Sequence, residues 1–195
     1  MEEELLLEHA AMARVKLGVS ARARVVYYAC EPHGNRLSLL LRIGTALASL
    51  KEEFPGIVLV VSPSLDDEAH REILWQIRIS GIRIVQNGLY YLQYEARRSH
   101  FGFRPSRPAS AEELLCLCAE SGLVVIGDGE GSREFGALAH EMIVPRIIYR
   151  GESMPKLRRQ FRRAFADPSW WILQKEKEDA NEIQGDTITP SPTLG

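Results

Sequence analysis

The residues best suited to chemistry lie in one short block of the chain. An apolar run typical of a strand, residues 124–126, ends in a loop that holds Asp128 and three glycines. Ser132 then opens a run of helix-forming residues, and Glu134 stands two positions after it. The block therefore places backbone N–H groups and a carboxylate at the carboxyl end of a strand and the start of a helix. Open α/β sheets bind ligands and anions at such places.

Hydrophobic periodicity along the chain predicts the elements that position this block. Strands are predicted at 25–30, 57–61, 82–85, 123–126 and 146–149, and helices at 3–16, 36–53, 68–80, 111–121, 132–141 and 153–167. Because strands and helices alternate, we expect an α/β fold, a doubly wound, mostly parallel five-stranded sheet in a flavodoxin-like three-layer sandwich. Residues 1–170 are predicted to form a single Rossmann-like domain, and the charged, then Thr/Pro/Ser-rich residues 171–195 a disordered tail.

The helix predictions carry two details that a structure can test. In the first helix the apolar side is predicted to consist of Leu5, Leu6, Ala10, Met12 and Val15. Before the helix at 111–121, a serine followed three residues later by a glutamate predicts a capping box.

Composition narrows the class of function. The net charge is −2 at pH 7, so nucleic acid is an improbable partner, and no apolar run is long enough to span a bilayer, so no membrane partner is expected. The N-terminal residues lack the pattern of a signal peptide. The three cysteines lack the paired spacing of a zinc site, so we expect no metal, and reduced, mostly buried thiols in a cytoplasmic protein. No cofactor is expected either.

A second loop is expected to complete the site. In doubly wound sheets the first and fourth strands are usually close, so the loops after them open on the same edge. The predicted pocket presents Tyr27 or Tyr28, Glu31, His33, Asn35, Asp128, Ser132 and Glu134. Because side chains alternate along a strand, only one of the two tyrosines can face a given side.

Plainer interpretations of the same residues remain open. A glutamate in the first turn of a helix often only complements the helix dipole, and Asp-Gly is a common turn. His33 is better explained as a turn residue than as a base. The glycines do not form a Gly-x-Gly-x-x-Gly fingerprint, which argues against a dinucleotide dehydrogenase. The aromatic and arginine-rich segment 90–107 suits either base stacking or packing on a partner, and the basic run 156–163 suits a solvated or partner-facing helix.

Two blocks resemble a known family. The chain reads Asp128-Gly129, then Gly131-Ser132-Arg133-Glu134-Phe135-Gly136-Ala137-Leu138-Ala139, then Pro145. This is similar to the C-terminal signature of nucleoside 2-deoxyribosyltransferases. In that family a strand ends in Asp-Gly, the motif Gly-Ser/Thr-x-x-Glu-φ-Gly-x-Ala follows, and a proline then starts the next strand. The chain has one residue fewer between serine and glutamate and a shorter loop. Val26-Tyr27-Tyr28-Ala29 resembles the family's first strand, Ile-Tyr-φ-Ala.

The resemblance extends in layout to Toll/interleukin-receptor-like NAD hydrolases and to nucleotide-sensing Rossmann-like modules of bacterial defence systems. It implies that Glu134 acts as the nucleophile or stabilises an oxocarbenium ion, and that Asp128 holds or protonates the base. Ser132 and the N–H groups around Gly129 and Gly131 would bind ribose or phosphate. Tyr27 would orient the glutamate or contact the sugar. Arg133 matches no family position and would suit a phosphate.

Two classes of function follow from the resemblance. The first is an N-glycosidase or deoxyribosyltransferase-like enzyme that cleaves or transfers the N-glycosidic bond of a nucleoside, nucleotide or NAD. The second is a non-catalytic nucleotide-sensing module of the same fold. For either class the resemblance implies a homo-oligomer, with contacts from the aromatic segment and the C-terminal helix. A third alternative is an interaction protein that retains the fold with a degraded site.

Overall fold

The computed structural model describes residues 3–29, 35–62, 68–89, 92–93, 107–127 and 130–167. The predicted tail at 171–195 lies outside the described residues, as does most of the aromatic and arginine-rich segment. The helices are α1 (Glu3–Leu17), α2 (Asn35–Ala48), α3 (Glu68–Ile79), α4 (Ala111–Ser121), α5 (Glu130–Glu141) and α6 (Met154–Ala166). The strands are β1 (Arg24–Tyr28), β2 (Ile57–Val61), β3 (Arg83–Gln86), β4 (Gly122–Ile126) and β5 (Arg146–Ile148).

The five strands form one parallel sheet in the order β3-β2-β1-β4-β5. The chain builds outward from β1 to β3 on one side and then returns to add β4 and β5 on the other. The strand order therefore reverses between β1 and β4, which are direct neighbours. The predicted doubly wound α/β class is confirmed, and so is the predicted proximity of the first and fourth strands.

Helices cover both faces of the sheet, because each central strand is apolar on both sides. In β1, Val26 and Tyr28 pack in the core that α2, α3 and α6 cover, whereas Val25 and Tyr27 pack in the core covered by α1, α4 and α5. All five residues of β2 are buried. Near-continuous burial of this kind is typical of a parallel sheet between two helical layers.

The predicted capping box at the start of α4 is confirmed. Ser110 Oγ accepts a hydrogen bond from the backbone N–H of Glu113 at 3.2 Å, and the Glu113 carboxylate accepts one from the Ser110 N–H at 2.8 Å. Lys16 of α1 donates to the same carboxylate at 2.7 Å. Burial alone would raise the pKa of Glu113, but the hydrogen bond from the Ser110 N–H and the hydrogen-bonded ion pair with Lys16 hold it below its ordinary value. The carboxylate thus joins the helix cap to the neighbouring helix.

The predicted apolar side of α1 is wrong in part. Ala10, Ala13 and Leu17 are buried against the core, and Leu6 is half-buried. Leu5, Met12 and Val15, which were expected to face inward, lie on the opposite, exposed side. The helix has apolar residues on both sides, so periodicity alone does not decide which side faces the core. Ala10 and Ala13 are small, which allows α1 to pack closely on α4.

β1 and β4 approach each other with no room for a side chain at one point. Gly122 is the first residue of β4 and pairs with Val25 of β1. A Cβ atom at residue 122 would overlap the carbonyl oxygen of Val25. The backbone at Gly122 is extended, so it is the close approach of the two strands, rather than backbone conformation, that requires glycine here.

No described helix combines the length and the apolar character that crossing a bilayer requires.

The close approach at Gly122 generates a stability prediction. Gly122→Ala is expected to lower the free energy of unfolding by about 1–3 kcal/mol, because the added methyl group must push β1 and β4 apart. Gly136→Ala is the control for an added methyl group: its Cβ would lie 3.3 Å from Cδ1 of Ile126, a side-chain end that can shift, and alanine favours the helix, so its midpoint is not expected to fall. Urea unfolding followed by circular dichroism compares the two variants. Equal midpoints for both would contradict the proposed close contact.

Candidate functional site

The candidate site lies at the carboxyl edge of the sheet, where the strand order reverses between β1 and β4. Tyr28 pairs with Val125 near the ends of the two strands, and the N–H of Ala29 donates to the Val125 carbonyl at 2.9 Å. The ends of β1 and β4 therefore lie side by side at this edge of the sheet. Ligands of open α/β sheets bind in the crevice at such a reversal of strand order.

Gly127, the residue after β4, lies close to side chains of β1 and α2. A Cβ atom there would lie 3.3 Å from Cδ2 of Leu39 and 3.5 Å from Oη of Tyr28. The end of β4 thus contacts both β1 and α2. A Cβ at 127 would be tight against Leu39 and in ordinary contact with the Tyr28 hydroxyl, so the residue after β4 lies close to both β1 and α2.

The two tyrosines of β1 face opposite sides of the sheet, as strand alternation predicts. Tyr28 lies on the side of α2, where its hydroxyl is 3.5 Å from the carbonyl oxygen of Arg36. Tyr27 lies on the side of α5 and packs against Phe135, with ring centroids 5.2 Å apart and the rings tilted by 57°. Tyr27 is therefore the tyrosine that shares a layer with Glu134. Its ring is buried and contacts Phe135.

Helix α5 begins two residues earlier than predicted, at Glu130. Acidic residues are favourable in the first turn of a helix, which explains why the helix already includes Glu130. Gly131, Ser132 and Arg133 consequently lie in the first turn. Glu134 lies in the second turn and not in the first.

Glu134 is exposed, whereas its neighbour Phe135 is half-buried against Tyr27. Ala139 is fully buried on the same inner side as Phe135, which sets the rotation of α5. Glu134 makes no hydrogen bond or ion pair with another described residue. The carboxylate is thus accessible on the flank of a helix whose inner side is anchored to β1.

The remaining predicted residues fall into two groups. Asn35 is the first residue of α2, directly after the β1 loop, and Gly131, Ser132 and Arg133 belong to α5. Glu31, His33, Asp128 and Gly129 lie outside the described residues. The helices that follow β1 and β4 therefore both begin at the carboxyl edge of the sheet, and Tyr27 packs against the second helix through Phe135.

Two helix N-termini meet this edge of the sheet. α2 follows β1 on one face and α5 follows β4 on the other. The first N–H groups of a helix have no partner within the helix and carry a partial positive charge, so a helix start favours an anion such as a phosphate. In α5, Glu130 already supplies one negative charge to the first turn. No residue in the first turn of α2 is acidic, and Arg36 is its second residue.

Sequence reasoning missed the packing of Phe135 on Tyr27. Phe135 stands between Glu134 and Gly136 in the block that carries the resemblance, and the apolar position after the glutamate is the signal that could have identified it. The ring matters because it fixes the rotation of α5, and with it the direction in which the neighbouring carboxylate leaves the helix.

Cysteine and metal chemistry find little support in the described part of the chain. Cys116 and Cys118 are free thiols buried in α4. Burial raises the pKa of Cys118 to about 12, and burial together with the nearby Glu112 carboxylate raises that of Cys116. Thiols are nucleophilic as thiolates, so neither residue suits catalysis. Among the residues described, no three His, Cys, Asp or Glu side chains come together as a metal site.

Comparison of the chain with known protein families gives no match, and no curated protein sequence is significantly similar to it.

The raised thiol pKa values generate a prediction about reactivity. Alkylation of Cys116 and Cys118 at pH 8 is expected to be far slower in the folded protein than in urea, because folding both buries the sulfur atoms and suppresses the thiolate. Peptide mapping by mass spectrometry measures each cysteine separately and so distinguishes them from Cys30. Labelling of either residue in the native protein at the rate seen in urea would contradict their burial.

Proposed function

We propose that the chain binds a nucleoside, nucleotide or NAD at the reversal between β1 and β4 and cleaves or transfers its N-glycosidic bond, with Glu134 as the reacting or stabilising carboxylate. The observation that carries this proposal is the pairing of β1 with β4. It brings the start of α5, and Glu134 one turn later, to the same edge of the sheet as the end of β1 and the start of α2.

The chemistry of glycosidic cleavage suits a carboxylate at this position. The departing base leaves a sugar with oxocarbenium character, which a nearby carboxylate stabilises electrostatically or captures as a covalent intermediate. Glu134 is exposed and unpaired among the described residues, so nothing described there competes with a ligand for its oxygens. The contact between Tyr27 and Phe135 holds the helix that carries it.

Substrate contacts are assigned by position. The first-turn N–H groups of α5, at Gly131, Ser132 and Arg133, are suited to ribose hydroxyls or a phosphate. Asn35 and Arg36 at the start of α2 are placed on the opposite side of the same edge. Asp128 and Gly129, with Glu31 and His33, follow the two strands in sequence and complete the proposed set of substrate-binding and base-holding residues.

A second candidate function is nucleotide binding without catalysis. Its support is the exposure of Glu134 together with the two helix N-termini. A reacting carboxylate acts most strongly where water is excluded, whereas anion binding by helix N–H groups needs no such carboxylate. In this alternative the α2 and α5 starts hold the phosphates of a nucleotide, and Glu134 has no role in turnover.

Incubation with a panel of nucleosides, nucleotides and NAD tests the proposal, with free base measured by chromatography. The wild-type protein is expected to release base from at least one compound, and Glu134→Gln to reduce the rate by about 100-fold or more, because the neutral amide cannot stabilise the cationic sugar. Glu141→Gln is the matched control, an exposed glutamate on the same helix, and is expected to retain wild-type turnover.

Calorimetric titration with the same compounds separates the two candidates. If neither wild type nor Glu134→Gln releases base and both bind one nucleotide with equal affinity, the chain is a nucleotide-binding module. If Glu134→Gln binds substrate like the wild type and only turnover is lost, the carboxylate acts on the bound sugar.

A further inference from the structure

Helix α1 has an outer apolar stripe that the described part of the fold leaves exposed. Leu5, Met12 and Val15 follow one another at intervals of seven and three residues and so share one side of the helix. Their exposed fractions are 43%, 46% and 74%. The inner side of α1 is already packed on α4 through Ala10, Ala13 and Leu17. A surface helix normally has one apolar side, so the second stripe indicates a contact beyond the single chain.

The outer side of α1 is also acidic. Glu4 and Glu8 are exposed, and within the described chain neither forms an ion pair. The basic residues of the helix are used elsewhere. Arg14 pairs with Glu120 at 2.9 Å and Lys16 with Glu113 at 2.7 Å, both on α4. The surface that α1 presents to solvent is therefore an apolar stripe accompanied by two unpaired carboxylates.

A groove on the opposite face of the molecule has the complementary character. It lies between α2 and α6, has a volume of about 660 Å³, and its apolar part consists of Ala46, Met154 and Pro155. Arg158, Arg159 and Arg162 line it. The groove therefore combines apolar contact surface with guanidinium groups, which matches a helix that carries both apolar and acidic side chains.

Described neighbouring residues satisfy the guanidinium groups of the groove only in part. Arg162 pairs with Glu53 at 2.8 Å, in an exposed ion pair of the kind that contributes little to stability. Arg158 reaches the Ser49 carbonyl at a long 3.5 Å, and Arg159 has no ion pair within the described chain. Helix α6 carries five basic residues and no acidic one. An acidic partner would relieve the repulsion among these charges.

We propose that α1 of one copy docks into the α2/α6 groove of a second copy, so that the chain associates head to tail. Leu5, Met12 and Val15 would contact the apolar part of the groove, and Glu4 and Glu8 would pair with Arg158 and Arg159. α1 covers one face of the sheet and the groove lies on the other, so the two surfaces cannot meet within one molecule. A contact between unlike surfaces leaves one of each free and permits further addition.

A second copy accounts for more of the observations than a polyanion does. A nucleic-acid backbone would satisfy the arginines but would leave the apolar stripe of α1 uncovered. A symmetric contact between two α1 helices would cover the stripe but would place Glu4 and Glu8 of both copies at one interface. Docking of α1 in the groove covers the stripe and pairs both sets of charges, and it does not involve the proposed site at the carboxyl edge of the sheet.

Charge reversal tests the pairing. Light scattering coupled to gel filtration should show a mass that rises with protein concentration for the wild type and falls with added salt, which screens the ion pairs. Arg158→Glu with Arg159→Glu is expected to weaken association by about 100-fold or more, and so is Glu4→Arg with Glu8→Arg. A chain that carries all four substitutions should associate again, because opposite charges once more face each other.

The controls address folding and the alternatives. Arg71→Glu with Arg78→Glu makes the same charge change on exposed positions of α3 and is expected to leave association unchanged. Thermal melting by circular dichroism confirms that each variant is folded. A wild-type protein that stays monomeric at every concentration would overturn the proposal. So would a groove variant that associates like the wild type, or a folded four-substitution chain that remains monomeric.

Discussion

The direct pairing of β1 with β4 is the contact on which the rest of this structure depends. It brings strands that are almost a hundred residues apart in sequence into register from Val25 and Gly122 onward. Gly122 makes the approach possible, since any side chain there would meet the Val25 carbonyl group. Once the two strands are neighbours, the order of the sheet must reverse between them. The starts of α2 and α5, the helices that follow them, then share one edge.

The two layers of helices follow from the composition of the strands. Each central strand alternates apolar residues toward both faces, so neither face can remain open to water. The same alternation sends Tyr28 toward α2 and Tyr27 toward α5. The two sides of the candidate site therefore differ because the side chains of β1 alternate between the two faces of the sheet. One tyrosine supports the first helix start from one face, and the other supports the helix that carries Glu134 from the opposite face.

Most of the fold was predictable because its signals are local and strong. Short apolar runs bounded by turns located all five strands to within two residues, and Ser110 with Glu113 identified the cap of α4. Two errors share a cause, which is that sequence periodicity does not show what a helix packs against. Periodicity predicts Leu5, Met12 and Val15 on the buried side of α1, but they lie on its exposed side. The start of α5 was placed after Glu130, although an acid there favours the helix.

The adjacency of the two strands at the candidate site was predictable, whereas the exposure of its residues was not. Adjacency of the first and fourth strands follows from the general topology of doubly wound sheets. The exposure of Glu134 depends instead on how α5 is rotated, and this rotation is set by the packing of Phe135 on Tyr27, a contact between residues more than a hundred positions apart. Long-range packing of this kind leaves no periodic trace in the sequence.

The exposure of Glu134 has a physical consequence for the proposed chemistry. A carboxylate in water stabilises a nearby cation weakly, because the solvent screens the interaction, whereas the same pair in a water-excluded site interacts several times more strongly. Catalysis at Glu134 therefore requires that ligand binding itself removes water from the carboxylate. A nucleoside can do this, since its base and sugar are large enough to cover the first turns of α5. Binding at the helix starts needs no such desolvation, because phosphate is held by N–H groups that remain effective at an open edge. The difference between an enzyme and a nucleotide-binding module on this fold thus depends on how completely the bound ligand covers one side chain.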